Sequence, residues 1–67
     1  MSSREMFEEL GYKQTNNNIY STCYKNEKED YYIYFYNYSK KIEVLHDITI
    51  QELQAINKQI EELGWNK

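Results

Sequence analysis

The sequence has few of the residues that hold together or activate very small proteins. Its 67 residues include one cysteine, Cys23, and one histidine, His46. A single cysteine cannot form an internal disulfide, and one cysteine with one histidine cannot supply the four ligands of a structural zinc site. We therefore predict one domain, residues 1–67, that binds no metal or cofactor and is stabilised by packing alone.

The chain also lacks an excess of basic charge and any long apolar run. Eleven acidic residues against eight basic ones give a formal net charge of -3, which disfavours nucleic acid and anionic membranes as partners because both attract cationic surfaces. No segment approaches the roughly 18 apolar residues of a membrane span, and the N-terminal residues lack the apolar stretch of a signal peptide. We expect a cytoplasmic protein with no membrane partner.

A capping box predicts the first helix. Ser2 and Glu5 have the spacing in which each side chain accepts a hydrogen bond from the other residue's backbone N–H. Gly11 can adopt the left-handed conformation that ends a helix, so we predict a helix over about residues 3–10. In this stop motif the following residue, Tyr12, packs back onto the helix. The apolar stripe of the helix comprises Met6, Phe7 and Leu10.

The same signals recur near the other end of the chain. Thr49 and Glu52 form a second capping box, and Gly64 marks a second helix end. They predict an amphipathic helix over about residues 50–63, with Trp65 packing back onto it. Its apolar stripe comprises Leu53, Ile56, Ile60 and Leu63.

Between the helices the apolar pattern changes from helical to alternating. Residues 31–38 alternate, with Ile33 and Phe35 on one face, and predict a central strand. Strands at about 19–24 and 42–45 are predicted as its antiparallel neighbours across polar loops. The opposite face of the central strand carries Tyr32, Tyr34, Tyr36 and Tyr38.

The register is predicted for only one of the two hairpins. Ile42 and Val44 share the apolar face of the central strand whether the loop before them has two or four residues, because a slip of two preserves side-chain parity. With residues 12–15 as a candidate fourth strand, the fold class is α+β: a three- to four-stranded antiparallel sheet with an N-terminal and a C-terminal helix packed on one face. In the first hairpin, the residues that face the core are either Ile19 and Cys23 or Tyr20 and Tyr24.

Nucleophilic catalysis has little support in this arrangement. Cys23, His46 and Asp47 are the only candidate set, and a base must lie within about 3 Å of the nucleophile. Cys23 and His46 belong to strands separated by the central one, which places them roughly 9 to 10 Å apart. The glycines, Gly11 and Gly64, are expected at helix ends and not in an oxyanion loop. We predict no enzymatic activity and no catalytic residue.

Four acidic residues near the helix ends do not indicate a cation site. Adjacent carboxylates without the ligand spacing of a calcium loop are typical of a solvated polar face. They are Glu8, Glu9, Glu61 and Glu62.

The tyrosine-rich side of the central strand is the predicted binding surface. With both helices on the opposite face, its rings would meet water or a partner, and tyrosine is enriched at protein interfaces. We predict that it binds another protein. The alternatives are a homodimer, a purely structural sheet face, and a surface that stacks nucleotides or single-stranded nucleic acid, which nearby acidic residues disfavour. The predicted partner-binding residues are Tyr32, Tyr34, Tyr36, Tyr38, Lys41 and Glu43.

The helix ends carry a family resemblance. Residues 6–12, MFEELGY, and residues 48–65, ITIQELQAINKQIEELGW, resemble a group of small uncharacterised phage and prophage proteins of low-GC Gram-positive bacteria. The resemblance implies a phage accessory protein in a bacterial host cell. It also implies a host or phage protein as the partner, for example a bacterial antiviral defence factor that the chain inhibits. It assigns no site residues.

Overall fold

The computed structural model describes residues 1–65, in which a helix, four strands and a second helix follow one another. The four strands form one antiparallel sheet in the order β1-β2-β3-β4, so each strand pairs with its neighbour in sequence. The predicted α+β fold class is confirmed, with four strands. The elements are α1 (Ser3–Glu9), β1 (Lys13–Asn17), β2 (Ser21–Asn26), β3 (Tyr31–Tyr36), β4 (Lys41–Val44) and α2 (Ile50–Leu63).

Both helices begin at the predicted capping boxes. The Ser2 hydroxyl accepts from the Glu5 backbone N–H at 3.2 Å, and the Glu5 carboxylate accepts from the Ser2 backbone N–H at 2.9 Å. At α2, the corresponding bonds join Thr49 and Glu52 at 3.1 and 2.8 Å. These bonds satisfy backbone N–H groups that have no partner within the helix.

Both helices also end as predicted. Gly11 and Gly64 have φ of 92° and 73°, a conformation that costs glycine little because it has no Cβ. Tyr12 packs edge-on against Phe7, with the ring centroids 5.6 Å apart. The backbone N–H of Trp65 donates to a carbonyl one turn back, and its ring packs on the core.

The strand limits differ from the prediction at both hairpins. β2 begins at Ser21 and runs to Asn26, so its first two predicted residues lie in the turn before it. β3 ends at Tyr36, and Tyr38 lies in the turn that follows, 97% exposed. Residues 27–30 and 37–40 form the two turns after β2 and β3, and each ends in a residue with positive φ: Asp30 at 57° and Lys40 at 55°.

The helices cover one face of the sheet. Ile33 and Phe35 are fully buried there, and as predicted they share this face with Val44 and Ile42, their partners in β4. In the first hairpin the core-facing side chains of β2 are Thr22 and Tyr24, which pair with Phe35 and Ile33. Of the two predicted alternatives, the pair Tyr20 and Tyr24 is therefore correct for Tyr24. It is not correct for Tyr20, which lies in a turn and is 72% exposed. The core cluster comprises Phe7, Tyr12, Tyr24, Ile33, Phe35, Ala55 and Ile56.

The buried face of α2 is more polar than its apolar stripe predicts. Leu53, a member of the predicted apolar stripe, is 40% exposed, whereas Glu52 and Gln59 are buried. Gln59 Oε1 accepts a hydrogen bond from the Tyr24 hydroxyl at 2.5 Å and lies 2.9 Å from the Ser3 hydroxyl. α2 therefore binds α1 and the sheet through buried hydrogen bonds as well as apolar packing.

Glu62 takes part in the same contact between the helices. Its carboxylate accepts from the backbone N–H of Ser3 at 3.0 Å and from the Ser3 hydroxyl at 2.5 Å. Glu62 is exposed, as expected for a solvated polar face, and it makes the contact with Ser3 from the surface. Its neighbour Glu61 is also exposed and pairs with Lys58 at 3.4 Å.

Candidate functional site

The predicted binding surface lies on the sheet face that points away from both helices. Because Ile33 and Phe35 point toward the helices, the side chains of Tyr32, Tyr34 and Tyr36 project from the other side. We call this side of the sheet the tyrosine face. The strand register also places Ser21, Cys23, Lys25, Lys41 and Glu43 on it, each opposite one of the three tyrosines.

The three tyrosines contact one another in a row along β3. Tyr34 and Tyr36 are stacked, with centroids 4.9 Å apart and ring planes inclined by 22°, and Tyr32 meets Tyr34 nearly at a right angle, 89°. Two coplanar rings cannot approach to 4.9 Å, so the faces of Tyr34 and Tyr36 overlap. Each ring therefore covers one face of the other, and the row does not form a flat platform.

A shallow concavity of about 530 Å³ lies along this row. Its polar groups are partly paired with one another: the Tyr36 hydroxyl donates to Glu43 at 3.1 Å, and Lys25 lies 3.7 Å from Asp30. The hydrogen bond to Glu43, with smaller effects of partial burial and nearby charge, raises the pKa of the Tyr36 hydroxyl. The concavity is lined by Thr15, Cys23, Lys25, Asp30, Tyr32, Tyr34, Tyr36 and Glu43.

Charge is unevenly divided between the two layers of the molecule. The helices carry two basic and six acidic residues, a net charge of -4, whereas the strands carry three lysines and one glutamate, a net charge of +2. The strand register places all of these strand charges on the tyrosine face: Lys13, Lys25, Lys41 and Glu43. The sheet side of an acidic chain is therefore basic.

Sequence reasoning missed an exposed apolar group at one end of the sheet. Ile19, Tyr20 and Tyr38 are 80%, 72% and 97% exposed and lie in the turns after β1 and β3. Asn37 joins these turns, because its backbone N–H donates to the Tyr20 carbonyl at 2.9 Å and its amide donates to two carbonyls of the first turn. We call Ile19, Tyr20 and Tyr38 the turn tip. The alternating pattern predicted these residues in two different strands, so it did not indicate that they lie together at one end of the sheet.

The residues considered for nucleophilic catalysis are not brought together. Cys23 is buried on the tyrosine face beneath the aromatic row, opposite Tyr34. His46 follows β4 and stacks on Tyr31, with centroids 3.9 Å apart, and its Nε2 lies 2.9 Å from Glu52.

Within residues 1–65, no group of three or more His, Cys, Asp or Glu side chains has the arrangement of a metal site. No helix in the same part of the chain has the length and apolar character needed to cross a bilayer.

Comparisons with protein-family models, with curated proteins and with solved structures give no match to this chain.

A second polar cluster, which sequence reasoning did not find, lies between the sheet and α2. The Tyr12 hydroxyl donates to Glu52 and lies 3.2 Å from His46 Nε2, which itself contacts Glu52. Burial, followed by the hydrogen bond and negative charge of Glu52, raises the pKa of Tyr12 above its ordinary value. Burial alone would raise the pKa of Glu52, but hydrogen bonds from Tyr12, the Thr49 backbone and His46 outweigh burial and lower it. Tyr12, His46 and Glu52 therefore all contact one another.

Proposed function

We propose that the chain is a non-catalytic module that binds another protein through the tyrosine face. The observation that carries this proposal is a row of three contacting rings on the side of the sheet that neither helix covers. Aromatic side chains that remain at the surface of a small two-layer domain are typical of contact surfaces, because tyrosine offers a large apolar ring and a hydroxyl for hydrogen bonding. Tyr34 lies at the centre of the row, so we expect it to contribute most.

The resemblance of the helix ends to phage and prophage proteins supplies the expected setting. We propose a host or phage protein as the partner, with inhibition of a bacterial antiviral defence factor as the biological role. The exposed surface supports binding, and the nature of the partner follows only from the resemblance.

A second candidate function is binding of nucleotides or single-stranded nucleic acid. It is favoured by the lysines on the tyrosine face, since single-strand binders combine aromatic rings with a basic surface. Against it, the overlap of Tyr34 and Tyr36 covers ring faces that bases would need. Protein binding therefore remains the better supported function.

The first prediction concerns the centre of the aromatic row. Replacing Tyr34→Ala together with Tyr36→Ala should abolish capture of a stoichiometric protein partner by the tagged chain from bacterial lysate, because it removes the stacked rings and the hydroxyl that contacts Glu43. Capture is measured by affinity purification and mass spectrometry, with circular dichroism to verify that the variant is folded.

The control is Ile50→Ala, which shortens an exposed apolar side chain at the start of α2, away from the tyrosine face. This variant should retain the partner. Equal capture by the double variant and the unchanged protein would refute the proposal. Quenching of tyrosine fluorescence by single-stranded DNA, lost in the double variant, would favour the second candidate instead.

A further inference from the structure

The charge of the tyrosine face indicates which kind of protein it fits. Lys13 and Lys41 lie on this face, and no carboxylate within residues 1–65 is close enough to either lysine to form an ion pair. Lys25 is paired only with Asp30, whose side chain is 89% exposed, so the pair is held weakly. The face therefore has basic groups available for an acidic partner, because its two carboxylates are already engaged: Asp30 lies beside Lys25, and Glu43 accepts from Tyr36.

The same charges argue against other occupants. With Asp30 counted beside the three lysines and Glu43, the face carries a net charge of +1, so a second copy of the chain placed face to face would bring two positive surfaces together, which opposes association. A basic protein segment would meet the same repulsion. A polynucleotide matches the charge, but the stacked Tyr34 and Tyr36 rings offer it few open faces.

The turn tip indicates that the partner must also present apolar side chains. Its side chains are exposed beside the end of the row at Tyr36, and Lys40 and Lys41 follow Tyr38 in the same region of the chain. A partner that covers the row and the turn tip must therefore combine apolar side chains with carboxylates.

We infer that the partner presents an acidic segment with interspersed apolar residues, its carboxylates pairing with Lys13 and Lys41 and its apolar side chains contacting the aromatic row and the turn tip. This inference rests on the proposed function and specifies the partner's chemistry. Electrostatic complementarity of this kind chiefly sets specificity and the rate of association.

The test compares peptides that differ only in charge. The probes are a peptide of Asp-Glu-Leu-Gly repeats, its neutral counterpart of Asn-Gln-Leu-Gly repeats and a basic counterpart of Lys-Arg-Leu-Gly repeats, titrated into the full chain and followed by backbone amide NMR shifts. We expect the acidic peptide to bind at least about tenfold more tightly than the neutral one, to shift residues of β2, β3 and β4, and to weaken as salt is raised.

Paired charge variants locate the effect. Lys13→Gln with Lys41→Gln should reduce the preference for the acidic peptide to below about threefold. Lys28→Gln with Lys58→Gln removes the same charge from a turn and from α2, and should leave the preference intact.

Three results would overturn the inference. Equal binding of the acidic and neutral peptides, or failure of all three peptides to bind, would show that the face does not select carboxylates. Tighter binding of the basic peptide, lost in the Tyr34→Ala/Tyr36→Ala variant, would overturn the acidic partner while leaving protein binding by this face in place. Binding of oligothymidine in preference to every peptide would overturn both proposals.

Discussion

At the residue scale, Glu52 has two roles: it caps α2, and it contacts Tyr12 and His46 in a buried polar cluster. One carboxylate oxygen accepts from the Thr49 backbone and completes the capping box of α2. The other accepts from Tyr12 and contacts His46, at a position that is 7% exposed. The capping box alone revealed only the first role, because Tyr12 and His46 are distant in sequence and meet Glu52 only in the folded chain.

The Glu52→Gln variant tests the second role. Glutamine preserves the capping box but has a single oxygen, so it cannot accept all of the bonds that the carboxylate accepts. We expect a loss of about 1 to 3 kcal/mol in the free energy of unfolding at neutral pH, measured by urea denaturation. Glu5→Gln is the matched control: it occupies the same position in the capping box of α1, is exposed and has no buried partner, so it should have a much smaller effect.

The pH dependence of stability provides a further measurement on the same residue. The folded-state pKa of Glu52 lies below its ordinary value of 4.5. Its contribution to stability is therefore fully present above pH 4.5 and is lost as the pH falls through the lower, folded-state value. Urea titrations across this acidic range should show a smaller decline for Glu52→Gln than for the unchanged protein, and identical declines would contradict the assignment.

At the element scale, the first turn of α1 binds to α2 through hydrogen bonds. A helix of seven residues is too short to be stable by itself, and Ser3, at its beginning, is buried against Gln59 and Glu62. The carboxylate of Glu62 accepts a backbone N–H that the helix itself leaves unpaired, and it also lies favourably at the positive end of the helix dipole. The contact thus stabilises α1 and fixes its position on α2.

Two adjacent glutamates allow a matched test of this contact. Glu62→Ala should lower the free energy of unfolding by about 1 to 2 kcal/mol, because the hydroxyl and N–H of Ser3 lose an acceptor. Glu61→Ala should change it by less than about 0.5 kcal/mol, because it removes only an exposed pair with Lys58. Both are measured by urea denaturation at neutral pH. Similar losses in the two variants would contradict the role assigned to Glu62.

The elements differ in how far the sequence could predict them. α2 and the inward side chains of β3 follow from local chemistry: a capping box, a terminal glycine and strict alternation. The first hairpin does not, because Tyr24 faces inward through its contact with Phe7 of α1, whose ring lies 4.1 Å away in a stack. The turns were also difficult to locate, since their residues with positive φ are Asp30 and Lys40, whereas glycine is the usual signal.

The sequence predicted the position of the tyrosine rings in the candidate site, but it did not predict that the tyrosine face is basic. Placing Tyr32, Tyr34 and Tyr36 on one face required only the alternation of a single strand, and the strand register places Lys41 and Glu43 beside them as expected. The placement of Tyr38 was wrong because the chain leaves the strand after Tyr36. The basic character of the face depends on lysines from three strands, so it emerges only when the sheet order and register are known.

At the scale of the whole molecule, the separation of charge bears on self-association. Two tyrosine faces brought together would each carry a net charge of +1, from three lysines, Glu43 and Asp30, so we expect the chain to remain monomeric at low salt, despite its exposed rings. The measurement is sedimentation equilibrium over a wide range of protein concentration. Lys41→Gln makes the face neutral and should permit weak pairing through the tyrosines. Lys58→Gln changes the total charge equally and leaves the face unaltered, so this variant should stay monomeric. A dimer of the unchanged protein that dissociates on Tyr34→Ala would contradict this expectation, because the rings would then outweigh the repulsion and the tyrosine face would be covered by a second copy of the chain.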